Sequence, residues 1–200
     1  MSTNPENKVK FGLKNVHFAI ATIAADGSAT YGTPVPFPGA VSLSMDPQGE
    51  NTPFYADNIV YWVGAANSGY EGDLEMALFS DAFRTQVLDE LTDSNGVVLE
   101  DVDVEPVHFA LLFQFDHDRN NTRHILYNCT ATRPSVGSST IEDTREPQTE
   151  TSTITATSIH VSSLDKDIVK ARVTQGNSKY STWFEAVYLP TAVASGSPRT

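Results

Sequence analysis

The residues of this chain with the clearest potential for metal chemistry lie around one predicted turn. Asp116, His117 and Asp118 are consecutive, and His124 follows shortly after them. Imidazole and carboxylate groups bind Zn²⁺ or Mn²⁺ when their side chains converge. In an extended segment, however, Asp116 and Asp118 point to one side and His117 points to the other. The pattern favours a solvated turn, and we expect no metal site.

Acid–base catalysis would need paired carboxylates, and Glu71, Asp73 and Glu75 occupy alternate positions of one segment. Alternate residues of a strand share a face and lie roughly 7 Å apart, a spacing that glycosidases use. Three acids in a row are more typical of a solvated face or an electrostatic lining than of an acid–base pair. We therefore expect no catalytic residue in this row.

No pattern typical of nucleophilic catalysis or phosphate binding occurs in the sequence. There is no G-x-S-x-G motif, and the single cysteine, Cys129, shares a predicted strand face with Ile125 and Tyr127, as a small hydrophobic residue would. The segments around Gly64 and Gly137 lack the lysine and the helix of a phosphate loop. A triad assembled from distant residues stays open as an alternative. We expect a protein without enzymatic activity and without a cofactor.

The composition is that of one acidic domain of 200 residues. Its 25 Asp and Glu outnumber its 13 Lys and Arg, which gives a net charge of −12. Such a surface repels phosphates and argues against nucleic-acid binding, although the charge could simply keep the protein soluble. A single cysteine indicates a reducing compartment. The sequence has neither a signal peptide nor an apolar stretch of about 18 residues, so we expect no membrane insertion.

The elements that must position these residues are short strands and one helix, which predicts a mainly β fold, either a sandwich or a partly open barrel. A proline-rich connector, Thr33–Gly39, separates the first two strands. The predicted strands are Val16–Ala25, Ala40–Met45, Asn58–Val63, Tyr70–Leu78, VHFALLFQFDHD (Val107–Asp118), RHILYNCTAT (Arg123–Thr132), QTETSTITATS (Gln148–Ser158), Asp167–Val173 and Lys179–Leu189.

Strand Tyr70–Leu78 has the clearest period of two in the chain. One face is apolar, and the opposite face carries the three acids. The apolar face consists of Tyr70, Gly72, Leu74, Met76 and Leu78.

A helix is predicted directly after this strand. Ser80 is a suitable N-cap, and apolar residues follow at helical spacing as far as Leu91. The turn Asp93–Gly96 should end the helix. The apolar stripe consists of Phe83, Val87, Leu88 and Leu91.

The segment Met45–Ile59 is predicted to be a long loop that carries Phe54 and Tyr55. Aromatic side chains in such a loop either fold back onto the domain or contact a partner, and the sequence leaves both alternatives open.

Two long segments carry a resemblance to a known family. They are GYEGDLEMALFSDAFRTQVL (Gly69–Leu88) and HFALLFQFDHDRNNTRHILYNCTATRPSVGSSTIEDTREPQTETSTI (His108–Ile154). An acidic strand precedes a short helix, a YNC strand follows a hairpin, and an EPQTET strand comes next. The order of these elements and their residue sequences resemble those of the major tail proteins of siphovirus bacteriophages of Gram-positive bacteria, which are tail tube subunits. The resemblance extends roughly from Lys8 to Pro190.

The resemblance implies a single tail-tube domain over residues 1–200, with flexible segments at about 1–8 and 190–200 and no C-terminal immunoglobulin-like domain. It implies homohexameric rings that stack into a tube, with the inner sheets of neighbours joined into a barrel around the lumen. DNA would pass through without specific binding. The implied partners are further copies, the tape measure protein, the tail terminator and distal tail proteins. The implied location is the virion, and the host cytoplasm before assembly.

The resemblance also implies roles for the polar and aromatic residues. A carboxylate lining would let DNA slide through the lumen, and Glu71, Asp73, Glu75 and Glu150 are the candidates. The Met45–Ile59 loop matches the family's loop that contacts the adjacent ring, and its candidate residues are Asp46, Gln48, Glu50, Phe54 and Tyr55. Three alternatives remain open: the inner tube of a phage-derived bacteriocin or injection system, a soluble ligand-binding β-sandwich, and a metal- or carboxylate-dependent hydrolase.

Overall fold

The computed structural model describes residues 11–116, 118–138, 140 and 147–191, and their regular structure is almost entirely β. The strands pair antiparallel, and the single described helix has six residues. The predicted all-β class is thereby confirmed, and the fold fits a β-sandwich. Among the described residues, no helix has the length and apolar character needed to cross a lipid bilayer. His117 and most of the predicted flexible ends lie outside the described residues.

The described strands are numbered in chain order. They are β1 (Phe11–Ile23), β2 (Ala29–Tyr31), β3 (Val35–Pro36), β4 (Ala40–Gln48), β5 (Asn51–Ala56), β6 (Ile59–Ala65), β7 (Gly69–Met76), β8 (Leu91–Thr92), β9 (Val98–Leu99), β10 (Phe109–Asp116), β11 (Arg123–Ala131), β12 (Glu150–Thr157), β13 (Ile159–Val161), β14 (Lys166–Ile168) and β15 (Lys170–Val173). Helix α1 is Asp81–Gln86.

The chain divides into two compact units. The first contains the described residues of Met1–Pro38, His108–Asn128 and Ser158–Thr200, and the second contains those of Gly39–Val107 and Cys129–Thr157. Strand β11 begins in the first unit and ends in the second.

In the first unit, β1 and β10 form the central ladder. β2 and β3 pair with β1, β11 lies beside β10, and β15 pairs with the first half of β11. Tyr127 is buried in the core, and its hydroxyl donates a hydrogen bond to the carbonyl of Tyr188 over 2.8 Å. Burial raises the pKa of Tyr127. One cluster of buried core residues includes Leu112, Ile125, Tyr127, Ile159 and Trp183.

Three predictions in the first unit are wrong in detail. Segment Lys179–Leu189 forms turns instead of a strand, because Trp183 is buried and stacks on Tyr188 at 5.6 Å between ring centroids. The predicted strand Asp167–Val173 is interrupted at Val169 between β14 and β15. The proline connector contains β3, which pairs with β1.

In the second unit, β7 is the central strand. It pairs with β4 on one side and with β12 on the other, and β12 also lies beside β11. Two further hairpins, β5–β6 and β8–β9, form separate two-stranded ladders. Buried side chains from β7, from β12, and from α1 and the residues on either side of it form the core of this unit: Leu74, Met76, Phe79, Phe83, Val87, Ile154 and Ala156.

The helix begins as predicted but ends early. The Ser80 side chain accepts a hydrogen bond from the backbone N–H of Phe83, so the predicted N-cap is confirmed. The helix ends at Gln86 instead of reaching the Asp93–Gly96 turn. That turn joins β8 to β9, and Leu91 pairs with Leu99 instead of packing in a helical stripe.

The predicted Met45–Ile59 loop is also wrong, because most of it is β-structure. Strand β4 continues to Gln48, and β5 pairs with β6 as a hairpin. Asp57 and Asn58 both have positive φ, as a two-residue hairpin turn requires. At the base of the hairpin, the N–H of Ser68 donates to the carbonyl of Gln48.

Glycine is needed at position 72 because β4 approaches β7 closely there. A Cβ atom on Gly72 would lie 1.8 Å from the carbonyl oxygen of Ser44 and 2.8 Å from the Cα of Met45. A larger residue would therefore push β4 away from β7 and disturb the pairing that holds the β7 register.

We predict that Gly72→Ala lowers the free energy of unfolding by about 1–3 kcal/mol, because the added methyl group has no space. Gly137→Ala is the matched control, because a Cβ on Gly137 meets nothing within 4 Å. Urea denaturation of both variants is the measurement. Equal stability of the two variants would show that the close approach of β4 is not a constraint.

Candidate functional site

The acidic row predicted from the sequence lies on one face of β7. Leu74 and Met76 are fully buried on the opposite face, whereas Glu71 and Asp73 are exposed and Glu75 is half-buried. The predicted alternation is therefore confirmed for these residues. Leu78 is an exception: it lies beyond the end of β7 and is 71% exposed.

The neighbouring strands extend this row into a polar surface, because each carboxylate is in register with a polar residue on either side. Glu75 lies between Ser42 and Thr151, Asp73 between Ser44 and Thr153, and Glu71 between Asp46 and Thr155. We call these nine residues the acidic face.

Hydroxyl groups hold two of the carboxylates in place. Thr149 Oγ1 donates to Glu75 Oε1 over 2.7 Å, and Ser42 Oγ donates to Glu75 Oε2 over 2.8 Å. Thr153 Oγ1 donates to Asp73 Oδ1 over 2.9 Å. The bonds from Thr149 and then from Ser42 lower the pKa of Glu75, because they stabilise its charged form. Glu75 therefore stays ionised at pH values below the usual pKa of a glutamate.

The acidic face carries negative charge that no cation of the described residues neutralises. None of the ion pairs formed by those residues includes Glu71, Asp73 or Glu75. No group of three or more His, Cys, Asp or Glu in the described part of the chain is arranged to hold a metal ion. The hydroxyls of Ser42 and Thr153 are directed at carboxylates, and the nine residues of the acidic face include no Lys, Arg or His, so the face repels a phosphate group.

Glu150, the fourth predicted lining residue, lies on the other face of the sheet. It is in register with Met76, and its carboxylate accepts two hydrogen bonds from Arg84 over 3.1 and 3.0 Å. It also accepts the backbone N–H of Phe79 over 3.0 Å. Glu150 therefore binds the helix segment to β12, and its charge is paired.

The residues predicted for a contact between rings are divided between two elements. Asp46 and Gln48 lie on β4, where Asp46 also belongs to the acidic face, and Glu50 lies between β4 and β5. Phe54 and Tyr55 lie on β5 and are exposed.

Sequence reasoning missed the aromatic residues on the second strand of this hairpin. Tyr61 and Trp62 of β6 are 72% and 62% exposed. Asp57-Asn58 between two runs of aromatic and β-branched residues is the signal that indicates a hairpin. We call the exposed residues Phe54, Tyr55, Ile59, Val60, Tyr61, Trp62 and Val63 the aromatic hairpin surface.

The residues first considered for metal and nucleophilic chemistry have structural contacts. Asp118 accepts the backbone N–H of Thr122 over 2.8 Å, and its hydrogen bonds with Thr122 lower its pKa. The ring of His124 stacks on Phe113 at 5.2 Å between centroids. Cys129 is fully buried. The Asp118 contacts build the turn that joins β10 to β11.

The hydrogen bonds to Glu75 should make stability depend on pH. A carboxylate whose pKa is lowered by folding stabilises the fold above its unfolded pKa, about 4.3, and loses this effect as pH falls through the folded value. We predict that Glu75→Gln reduces stability at neutral pH, and that the difference from wild type shrinks below about pH 4.3. Urea titrations over this range are the measurement, and Thr149→Val should reproduce part of the effect. A difference that does not vary with pH would contradict the assignment.

Comparison with known proteins identifies the family. A search of curated proteins found no significant match, but the family model described as phage tail tube protein matches residues 3–193. This match covers both compact units and includes every residue of the acidic face and of the aromatic hairpin surface. The chain belongs to the family of phage tail tube proteins, which are structural proteins of the bacteriophage tail.

Proposed function

We propose that this protein polymerises as stacked hexameric rings into the tail tube of a siphovirus of Gram-positive bacteria, and that DNA leaves the capsid through the tube. Its role is structural and involves no catalysis. The observation that carries the proposal is the acidic face, where the carboxylates of β7 are flanked by hydroxyls and lack cationic partners among the described residues. We assign this face to the wall of the lumen.

The chemistry of the acidic face suits a surface past which DNA must slide. Its carboxylates repel phosphates, and the hydroxyls of Ser42, Thr149 and Thr153 are already directed at Glu75 and Asp73. The lowered pKa of Glu75 keeps that part of the wall charged in mildly acidic surroundings. A wall lined with Lys or Arg would instead hold DNA through many phosphate contacts.

The edge of the second unit's sheet supports closure by a neighbouring subunit. Strand β4 is nine residues long and is the last strand in the described order, so its outer edge has backbone groups available for pairing. Pairing with a strand of the next copy would extend the acidic face around the ring. Closed barrels remove exposed edges in this way.

The aromatic hairpin surface supports a contact with the adjacent ring. It exposes seven large apolar residues on one two-stranded ladder, and a patch of this kind marks an interaction site. We propose that Phe54 and Tyr55 pack against the next ring, and that Asp46, Gln48 and Glu50 surround this contact. Tape measure, terminator and distal tail proteins would bind the tube at its core and ends. The subunit would be made in the host cytoplasm and function in the virion.

We predict that Glu71→Lys/Asp73→Lys/Glu75→Lys leaves the fold intact, because no core residue changes, although it lowers stability by removing the hydrogen bonds to Asp73 and Glu75; it should impair DNA ejection by holding phosphates. The measurement is DNA release from virions assembled with the variant subunit. A matched control is Asp26→Lys/Glu185→Lys, which adds cations at exposed positions of the first unit. Normal ejection by the triple variant would remove these residues from the lumen.

A second prediction concerns the aromatic hairpin surface. Phe54→Ser/Tyr55→Ser should raise the concentration needed for tube assembly at least about tenfold, because apolar area buried between subunits is lost. The melting temperature of the subunit should hardly change, since both side chains are exposed. Sedimentation and negative-stain microscopy measure assembly, and Val136→Ser, at another exposed position, is the control. Unchanged assembly of the double variant would exclude this contact.

A further inference from the structure

The two compact units differ strongly in charge. The described residues of the first unit include seven Lys and Arg and six Asp and Glu, whereas those of the second include two and fifteen. Among the described residues of the second unit, Arg84 and Arg133 are the two arginines, and both form ion pairs with acids of that unit. The second unit is therefore a strongly acidic body, and the first is close to neutral and holds most of the basic side chains.

One acidic region of the second unit also exposes apolar side chains. In the β8–β9 hairpin, Leu91 pairs with Leu99 and both are exposed, and Val102 after the hairpin is 84% exposed. Four acids, Glu100, Asp101, Asp103 and Glu105, follow directly and are exposed. We call these residues, with Val97 and Val98, the β8–β9 patch.

The β8–β9 patch has the properties of a surface that is buried by a binding partner. Each of its strands has two residues, and an isolated two-stranded ladder is marginally stable in water. Its turn is nevertheless well built: Asp93 accepts the backbone N–H groups of Asn95 and Val97, each over 2.8 Å. The hydrogen bond from Val97 is the largest cause of the lowered pKa of Asp93. The hairpin thus holds exposed apolar and acidic residues in a defined arrangement.

The first unit presents basic side chains on and next to its short strand β15 in sequence. Lys170 and Arg172 alternate along this strand with Ala171 and Val173, and Val173 is buried in the core. Lys166 of β14 and Lys179, which follows β15, are exposed nearby in sequence, and the exposed acids Asp165 and Asp167 flank Lys166. Lysine on an edge strand can simply prevent aggregation, but it also selects an acidic partner. We call Lys166, Lys170, Arg172 and Lys179 the basic strand surface.

We propose that the β8–β9 patch of one copy docks on the basic strand surface of a second copy. This inference rests on the proposed self-assembly and names two of the surfaces that meet. Charge complementarity within one sequence supports a second copy as the occupant, because each copy carries both halves of the contact. Different surfaces meet in it, so it is heterologous and can propagate through a ring or a stack. The apolar side chains of the patch would lose their exposure, and its acids would face cations.

A reciprocal charge reversal tests the contact. The first variant is Asp101→Lys/Asp103→Lys/Glu105→Lys, and the second is Lys166→Glu/Arg172→Glu/Lys179→Glu. Each changes three exposed charges, and neither alters a core residue. Alone, each variant should associate at least about tenfold more weakly than wild type in sedimentation velocity at about 0.1 M salt. Mixed in equal amounts, the two should associate with each other, since each supplies the complement that the other lacks.

The control is Asp26→Lys/Glu185→Lys, which adds cations at exposed positions outside the β8–β9 patch and the basic strand surface. It should associate as wild type does. Failure of the mixed variants to associate, with both folded by circular dichroism, would overturn the contact, and so would wild-type association of either variant alone. These outcomes test whether the two surfaces bind each other when two copies associate. Failure of the proposed function would instead appear as an absence of tubes in wild-type protein under the microscope, whether or not the pairs form.

Discussion

The register of β7 between β4 and β12 is the constraint on which the rest of the second unit depends. It places Leu74 and Met76 in the core, and it places Glu71, Asp73 and Glu75 together on the opposite face. A shift by one residue would bury three carboxylates and expose the core. Gly72 lets β4 approach closely enough for this pairing, and hydroxyls from Ser42, Thr149 and Thr153 then hold two of the carboxylates.

Several surfaces of this chain are unusual for a lone subunit and reasonable for a subunit of a tube. The aromatic hairpin surface and the β8–β9 patch each expose apolar residues on a short two-stranded ladder. The outer edge of β4 is long, and the acidic face concentrates like charges. Each feature costs stability or solubility in a monomer, and each becomes favourable when a second copy covers or extends it. Membership of the tail tube family gives these surfaces a common purpose.

Period-two alternation and helix capping could be predicted from the sequence because both are local. The β7 faces and the Ser80 N-cap are therefore where the sequence places them. The length of α1 could not be predicted, since Leu91 satisfies a helical stripe but pairs with Leu99 across a turn. Trp183 and Tyr188 have strand-like composition, yet they pack on a core built by distant strands. Alternation along β12 places Glu150 on the face of Ile154 and away from the acidic face, but its ion pair with Arg84 of the helix could not be predicted from the sequence.

Helical reconstruction of tubes assembled from the purified protein, by electron cryo-microscopy, tests the central claim most directly. The claim is that the acidic face of β7 lines the lumen. We expect Glu71, Asp73 and Glu75 on the inner wall of a continuous barrel, with β4 paired to a strand of the neighbouring copy. A tube in which these three residues lie on the outer surface, or are buried between subunits, would contradict the claim.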